Sequence, residues 1–329
     1  MKLLEVRDLK AYYFTSAGEV KAVDGVSFDL EQGQVLGVVG ESGSGKSTLG
    51  SVLSNTMRPP LKVVSGEVLF KGVNIFKMHP EELRKVRAAG ISIIPQYAMN
   101  ALNPTSKIRD IVRDLLISHE VPPDEFAYRV KLARERALKL GLPPWVFDRY
   151  AIELSGGMRQ RVTILISTLL DPEVLIADEP TSALDVVVQR LVIQYLQDLV
   201  SEGSIKSMVF ITHDIALVNE ISTDIAVMYA GQIVEMGPAE DVMTNPRHPY
   251  TKVLISNIPE PGVRIAKKRV EGLRGEPPSL ISPPSGCRFH PRCPMAKDIC
   301  SRQAPPTVHL DGGRRAVTCW LYAGGGEAQ

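Results

Sequence analysis

The chain has 329 residues, which is enough for one large domain or two domains of moderate size. Its 38 basic and 37 acidic side chains leave a net charge of +1, so global charge gives no reason to expect nucleic acid or anionic lipid as a partner. No apolar run approaches the ~18 residues of a membrane span, and residues 1–8 lack the apolar core of a signal peptide. We therefore expect a cytosolic chain that reaches a membrane only through a partner.

The hydrophobic pattern predicts two kinds of strand. Apolar and polar residues alternate near the N-terminus, as in antiparallel strands with one buried face, at residues 3–9, 20–30 and 66–70. Continuous apolar runs predict strands buried on both faces of a parallel sheet, at residues 34–39, 91–94, 174–177, 208–212 and 224–229. Helix-forming sequence separates most of these runs, which indicates an α/β fold with crossover connections.

Two regions depart from this alternation of strands and helices. Residues 97–170 are dominated by helix-forming sequence and are too long for a simple crossover, so we interpret them as an inserted helical subdomain. Beyond Leu254, repeated prolines break any long helix, and residues 258–286 are expected to form an extended, wrapping segment. We place a domain boundary between residues 255 and 256 and expect a frayed tail at 323–329.

A glycine-rich stretch carries the strongest chemical signal. It follows the apolar run at 34–39 and fits the pattern of a phosphate-binding loop, with the residues Gly40, Glu41, Ser42, Gly43, Ser44, Gly45, Lys46, Ser47 and Thr48. Glycines let backbone N–H groups curl around phosphates, and a helix N-terminus adds partial positive charge. Lys46 can reach the β- and γ-phosphates of a nucleotide, and the Ser47 hydroxyl can ligate Mg²⁺.

A second signal is the pair of carboxylates that ends the apolar run at 174–177. The C-terminal edge of an α/β sheet is where such folds bind ligands. Asp178 is suited to hold Mg²⁺ through water, and Glu179 can polarise the water that attacks a γ-phosphate. The alternative is that these acids only begin the helix that follows. The phosphate loop favours the catalytic interpretation.

A third glycine-rich step lies at residues 154–161. Ser155, Gly156 and Gly157 precede a helical stretch that contains Gln160, which gives a second helix N-terminus suited to an anion. One nucleotide needs only one phosphate loop, so this second site would serve a nucleotide held by another subunit. On spacing alone, an N-capping Ser155 with a glycine turn is the favoured interpretation.

Together these motifs resemble those of the ATP-binding subunit of an ABC transporter. Walker A corresponds to residues 40–47, the signature to 154–160 and Walker B to 174–179, and the resemblance covers about residues 1–254. It implies a P-loop nucleotide-binding domain with a mixed sheet core, an antiparallel β-subdomain and an inserted helical subdomain. It also implies roles for Gln96 in the Q-loop, Asp185 in the D-loop, His213 as the switch histidine and Tyr13 as the residue that stacks on adenine. Tyr12 and Phe14 adjoin Tyr13 and are alternatives for that last role.

The resemblance also implies how such a chain works. Two ATP-binding subunits face each other head to tail, and each ATP lies between the Walker A loop of one and Ser155, Gly156, Gly157 and Gln160 of the other, with Asp185 at the interface. Gln96 joins Ser47 and Asp178 around Mg²⁺, and Lys46, Gln96, Glu179 and His213 act in hydrolysis. Closure drives two permease subunits, which the helical subdomain contacts. A solute-binding protein acts through those permeases.

The C-terminal third resembles the oligopeptide/dipeptide-importer branch of this family. Residues 228–235 and the His248-Pro249-Tyr250 motif carry that resemblance, and Met158 in the signature resembles the first of the branch's two ATPases. The implied partner is therefore a second, different ATPase at the cytoplasmic face of the membrane. Relatives with this architecture import oligosaccharides as well as peptides. The rival interpretation is a soluble ABC ATPase acting on nucleic acid or ribosomes, but such chains commonly have two nucleotide-binding domains or long coiled-coil inserts.

All four cysteines of the chain lie in the C-terminal extension, at Cys287, Cys293, Cys300 and Cys319. In a cytosolic chain, four clustered thiols indicate a metal rather than disulfides. Four cysteine ligands suit a [4Fe–4S] cluster or zinc, and His290 offers a mixed zinc site. Some members of the importer branch carry an iron–sulfur cluster at matching positions, which favours the cluster. Unligated thiols or a disulfide remain open, and the simplest role of a metal is to stabilise a proline-rich segment.

Overall fold

The computed structural model describes residues 1–182, 184–257 and 275–324. Two sheets and the helices around them form the described part of the chain. The predictions for Ala183, for residues 258–274 of the extended segment and for residues 325–329 of the tail lie outside the described residues. Residues 275–286 contain neither helix nor strand, as the extended segment predicts.

The smaller sheet is antiparallel and confirms the alternating pattern near the N-terminus. Its strand order is β2-β1-β4-β5. The strands are β1 (Lys2–Thr15), β2 (Gly18–Glu31), β4 (Leu61–Phe70) and β5 (Val73–Asn74). One face of these strands packs on the central sheet through fully buried side chains such as Leu4, Val6 and Leu30. This sheet therefore covers one side of the core.

The larger sheet has the order β11-β12-β10-β9-β3-β8-β7-β6. Its parallel strands match the five continuous apolar runs to within a residue or two: β3 (Val35–Val39), β6 (Ile91–Ile94), β7 (Val174–Asp178), β8 (Ser207–Ile211) and β9 (Asp224–Tyr229). Every residue of β3, β7 and β8 is buried, because helices and the smaller sheet cover both faces. The predicted α/β class is confirmed.

Helices connect the parallel strands and fill the interval after β6. Those that flank the sheet are α1 (Lys46–Leu53), α2 (Pro80–Val86), α6 (Val186–Ser201), α7 (Ile215–Ile221), α8 (Ala239–Thr244) and α9 (Pro249–Ser256). The helix-rich interval contains α3 (Ile108–Ser118), α4 (Pro123–Lys139) and α5 (Gly156–Thr168). Arg136 of α4 is buried and binds Asp171 and the carbonyl oxygen of Thr168, which holds α4 against the end of α5. No helix of the described ranges is both long and apolar enough to cross a bilayer.

The C-terminal extension adds two strands that the sequence pattern did not predict. It contains α10 (Asp298–Arg302), β11 (Thr307–Leu310) and β12 (Arg315–Thr318), and β12 pairs antiparallel with β10 (Gln232–Pro238). β11 and β12 have only four residues each, which is too short for a clear periodicity. The extension therefore contributes two strands to the main sheet.

Candidate nucleotide-binding site

The phosphate-loop residues connect the end of β3 to the start of α1. Gly45 precedes α1 with φ +103°, and a Cβ atom there would lie 1.9 Å from the carbonyl oxygen of Ala22. Gly40 has φ +153°, and a Cβ atom there would lie 2.1 Å from the carbonyl oxygen of Met228. Glycine is required at both positions because neighbouring backbone occupies the space. The loop consequently packs closely on one strand of each sheet, β2 and β9.

Lys46 is buried inside this loop, with 7% of its surface exposed. Its Nζ atom donates to the carbonyl oxygens of Gly40 at 2.8 Å and Glu41 at 2.9 Å. Burial lowers the pKa of Lys46, while the nearby carboxylates of Glu179 and Asp178 oppose that shift. The ammonium group is thus held by carbonyl oxygens that a phosphate oxygen could replace.

Ser47 and Asp178 meet where β7 ends. The Ser47 hydroxyl donates to Asp178 Oδ1 at 3.1 Å, although the two residues are far apart in sequence. Burial, with a smaller contribution from the charge of Glu179, raises the pKa of Asp178 to about 6. A hydroxyl and a carboxylate are ligands that Mg²⁺ accepts, and a bound cation would favour the ionised carboxylate. The donor set therefore fits the predicted magnesium ion.

Glu179 is oriented by the segment that follows β8. Its Oε1 atom accepts the backbone N–H of His213 at 3.0 Å and lies 2.7 Å from His213 Nδ1. Its Oε2 atom accepts the hydroxyl of Thr212 at 3.2 Å. Glu179 also has a φ of 49°, an unfavourable conformation that clusters at functional sites. Both carboxylate oxygens are thereby fixed at the edge of the sheet.

An open cavity brings most of the predicted residues together. It is lined by Tyr13, Ser42, Gly43, Gly45, Lys46, Ser47, Thr48, Gln96, Glu179 and His213. A second cavity adjoins it and is lined by Tyr13, Ser47, Gln96 and Asp178 among others. Residues of the phosphate loop, the acidic pair, Gln96 and His213 thus line two adjoining cavities, and their roles there stay predictions.

The three adjacent aromatic residues near this cavity occupy different environments. Tyr12 is buried, and its hydroxyl donates to Asp24 at 2.6 Å, so its ring cannot reach a ligand. Phe14 is exposed beside Lys62, whose Nζ atom lies 5.7 Å from the ring centre. Tyr13 lines both cavities, and its hydroxyl lies 3.1 Å from Thr48 Oγ1. Its position favours Tyr13 for adenine stacking, which stays a prediction.

The residues predicted to contact a partner's ATP differ in accessibility. Ser155 is exposed and caps α5, since its side chain accepts the N–H of Met158 at 3.3 Å. Gln160 is buried, and its Nε2 atom donates to the carbonyl oxygen of Pro180. Asp185 is exposed and caps α6 by accepting two backbone N–H groups. The capping interpretation of Ser155 is confirmed, while contact with a second subunit stays a prediction.

All four cysteine side chains are free thiols. Burial raises the pKa of Cys287 and Cys293 and raises that of Cys319 to about 11. His290 directs its Nδ1 atom at the carbonyl oxygen of Cys287, 2.9 Å away. Within residues 1–182, 184–257 and 275–324, no three His, Cys, Asp or Glu side chains are placed to hold a metal ion. The predicted iron–sulfur or zinc site therefore gains no support from this geometry.

Comparison with known protein families matches two models to the chain. The model described as ABC transporter matches residues 23–182, and the model described as oligopeptide/dipeptide transporter, C-terminal region, matches residues 234–300. The dipeptide transport ATP-binding protein DppD of Caldanaerobacter subterraneus is 42% identical over 323 residues, covering 98% of each chain. The chain belongs to the ABC transporter family. The resemblance inferred from the motifs is confirmed.

Other relatives of this ABC transporter ATPase agree. The oligopeptide transport ATP-binding protein AppF of Bacillus subtilis is 40% identical and covers 98% of both chains. The dipeptide transport ATP-binding protein DppF of Haemophilus influenzae is 41% identical and covers 97% of this chain and 96% of its own. These names give no support to the alternative role with nucleic acid or ribosomes.

Solved structures confirm the ABC ATPase fold. The dimeric bacterial ABC transporter cassette MJ0796 superimposes with a TM-score of 0.63 at 24% identity, over 72% of this chain and 98% of that one. The protein cbiO1 of Clostridium perfringens, part of the transporter complex cbiONQ, gives a TM-score of 0.60 at 26% identity, over 74% of this chain and 91% of that one. The fold match thus leaves about a quarter of this ABC chain unaccounted for.

Three residues at the site were missed by the motifs. Thr212 binds the catalytic candidate Glu179, and its place directly before His213 was the available signal. Tyr250 accepts the N–H of Glu41 at 2.8 Å, and Arg292 forms an ion pair with the carboxylate of Glu41. No sequence pattern connects residues so far apart. Both lie in the C-terminal part of the ABC chain and contact the phosphate loop.

Proposed function

We propose that this chain binds MgATP between its phosphate loop and acidic pair, and hydrolyses it to power import of dipeptides or oligopeptides. The observation that carries the proposal is the convergence of Lys46, Ser47, Asp178, Glu179 and His213 around two adjoining cavities that share Ser47. The C-terminal match to an oligopeptide/dipeptide transporter region and the names of the relatives support the peptide cargo. Oligosaccharides are the alternative cargo.

Each residue has a chemical task in this proposal. Lys46 exchanges its carbonyl partners for β- and γ-phosphate oxygens and neutralises their charge. Ser47 and Asp178, with Gln96, would hold Mg²⁺, which when bound would supply positive charge against the charge that develops on the phosphates. Glu179, fixed by His213 and Thr212, polarises the attacking water. Tyr13 presents its ring to adenine.

The proposed partners rest on membership of the ABC transporter family and on exposed residues such as Ser155 and Asp185. We expect a second ATP-binding subunit of different sequence, whose bound ATP would contact Ser155, Gly156 and Gly157 of this chain. Asp185 would lie at the interface between the two subunits. Gln160 must leave its contact with Pro180 to join them, so we expect the signature helix to shift on closure. Two permease subunits would contact the helical region after Gln96, and this contact would place the chain on the cytoplasmic face of the membrane. A solute-binding protein would act through the permeases.

A Glu179→Gln variant tests the catalytic assignment. The amide retains the shape of the side chain but cannot accept a proton, so we expect ATP affinity to stay within about threefold and turnover of the assembled transporter to fall by roughly 10²–10⁴-fold. Phosphate release and uptake of a radiolabelled dipeptide are the measurements. Glu240→Gln, at an exposed position on α8, is the control. Hydrolysis at the control rate would refute Glu179 as the base, and lost hydrolysis with unchanged dipeptide uptake would refute the cargo.

We also propose that the four cysteines hold a [4Fe–4S] cluster. The observations in its favour are that the N–H of Cys287 donates to the carbonyl oxygen of Cys300 at 2.8 Å and that the N–H of Lys297 donates to the Cys300 sulfur at 3.4 Å. Hydrogen bonds to sulfur are a feature of such sites. The thiols would have to approach one another further, because the described residues form no group placed to hold a metal.

Metal analysis of anaerobically purified protein tests this second proposal. We expect a broad visible absorption and about four iron atoms per chain. A variant with all four cysteines changed to serine should lose both signals. About one zinc ion per chain without visible absorption would indicate a zinc site and refute the cluster. The absence of both metals would show that the thiols are unligated.

A further inference from the structure

An acidic side chain sits in the loop that is proposed to bind a polyanion. Glu41 directly follows Gly40, and its backbone carbonyl oxygen accepts both Lys46 Nζ at 2.9 Å and the N–H of Ser44 at 3.2 Å. Its carboxylate is only 24% exposed, so solvent screens it poorly. A negative charge at this position opposes phosphate binding unless another group neutralises it.

Arg292 of the C-terminal extension supplies the positive charge that neutralises Glu41. Its Nη1 and Nη2 atoms lie 2.7 Å and 3.0 Å from the two carboxylate oxygens of Glu41, which is a bidentate pair. The guanidinium carbon lies 5.8 Å from the ring centre of Tyr229, and Nη1 reaches the Tyr229 hydroxyl at 3.3 Å. Only 6% of the Arg292 side chain is exposed. The pair therefore joins two segments that are 251 residues apart.

A buried aromatic cluster supports the same contact. Tyr250 accepts the backbone N–H of Glu41 at 2.8 Å, and its ring centre lies 4.7 Å from that of Tyr229 and 5.4 Å from that of Phe289. Tyr229, Tyr250 and Phe289 are almost completely buried. Glu41 is thus held through its N–H and its carboxylate by residues from the C-terminal part of the chain. Those contacts determine where the first turn of the loop lies.

The extension has further anchors that do not involve Arg292. Arg288 pairs with Asp24 and donates to the carbonyl oxygen of Ala230. The carbonyl oxygen of Leu280 accepts the N–H of Lys21 at 3.0 Å, and the Leu280 side chain lines the candidate nucleotide cavity. Loss of the Arg292 side chain alone should consequently leave the extension in place. The effect of Arg292 on the loop can then be measured separately from folding.

We propose that Arg292 is a positioning residue for nucleotide binding: it acts through Glu41, whose negative charge it neutralises within the phosphate loop. The C-terminal extension is therefore part of the nucleotide site. This inference rests on the proposed function, since it requires the loop to bind ATP. Because Arg292 lines neither of the two cavities and acts only through Glu41, it should change KM for ATP and leave kcat nearly unchanged.

Equilibrium binding of a non-hydrolysable ATP analogue to the full chain tests the proposal. We expect Arg292→Ala to raise Kd roughly tenfold, which corresponds to about 1.4 kcal/mol. Arg302→Ala, at an exposed position of the same extension, is the matched control and should bind like wild type. In the assembled transporter, the same Arg292 variant should raise KM for ATP by a similar factor. Far-UV circular dichroism and the unfolding midpoint check that each variant is folded.

A second substitution at Glu41 separates charge neutralisation from a general structural effect. If Arg292 acts by neutralising the carboxylate, Arg292→Ala combined with Glu41→Gln should bring Kd back to within about threefold of wild type. Glu41→Gln alone should bind at least as tightly as wild type, and this variant tests the proposal even if Arg292→Ala fails to fold.

Three results would overturn the inference. They are an Arg292→Ala variant that binds like Arg302→Ala, a double variant no better than Arg292→Ala, and a Glu41→Gln variant that binds about tenfold more weakly than wild type. Failure of the wild-type chain to bind the analogue would instead refute the proposed function. The two failures are thus distinguishable.

Discussion

At the scale of single residues, His248 is an unusual titratable group because it is completely enclosed. It is 1% exposed and precedes α9, where its Nδ1 atom accepts the N–H of Tyr250 at 3.0 Å. Its own backbone N–H donates to Glu235 at 2.8 Å. Burial lowers the pKa of His248 to about 3, well below its ordinary value of 6.5.

This shift predicts a loss of stability in mild acid. Between pH 3 and 6.5 the unfolded chain binds a proton at His248 that the folded chain does not, so the free energy of unfolding falls as the pH drops below 6.5. At pH 5 the loss from this one group is about 2 kcal/mol. His248→Asn keeps an acceptor for Tyr250 but cannot titrate. Between pH 7.5 and 5 its free energy of unfolding should therefore fall by about 2 kcal/mol less than that of wild type. Urea unfolding of both proteins at pH 7.5 and at pH 5 measures this difference. If wild type and variant depend equally on pH, the pKa shift is contradicted.

The motifs predicted residues whose chemistry depends on local spacing. Lys46 and Ser47 follow from the loop pattern, and Glu179 from a carboxylate at a strand end. The burial of Gln160 could not be predicted, because it depends on the carbonyl oxygen of Pro180 in another segment. The ion pair that Arg292 forms was invisible for the same reason. A contact between residues that are far apart in sequence can be recognised only once the fold is known.

At the scale of elements, burial decides which strands a sequence reveals. The strands β3, β7 and β8 are enclosed on both faces, so their continuous apolar runs stand out. The strands β11 and β12 are short, β11 is partly exposed, and their residues include Thr307, His309 and Arg315. They form because β12 pairs with β10, which has an available edge. Tertiary pairing, rather than local pattern, creates these two strands.

At the scale of the whole molecule, one buried ion pair joins the extension to the main sheet. Arg315 of β12 lies 2.5 Å from Glu235 of β10, and their side chains are 2% and 0% exposed. The Glu235 carboxylate also accepts the backbone N–H groups of Arg247 and His248. Removing one member of a buried pair leaves the other charge uncompensated, which costs more than the pair itself contributes. We therefore expect the extension and the sheet to unfold as one unit.

The two tryptophans of the chain can test that expectation, since Trp145 lies in the helical region and Trp320 in the extension. Trp145→Phe leaves a reporter for the extension, and Trp320→Phe leaves one for the helical region. Their urea midpoints should coincide. Arg315→Met should lower the midpoints seen by both tryptophans together, which corresponds to a loss of about 3–5 kcal/mol in the free energy of unfolding. Arg314→Met, at the exposed neighbouring position, should change neither midpoint. An early transition of Trp320 alone, and an effect of Arg315→Met on that transition only, would mean that the boundary between residues 255 and 256 separates two cooperative units.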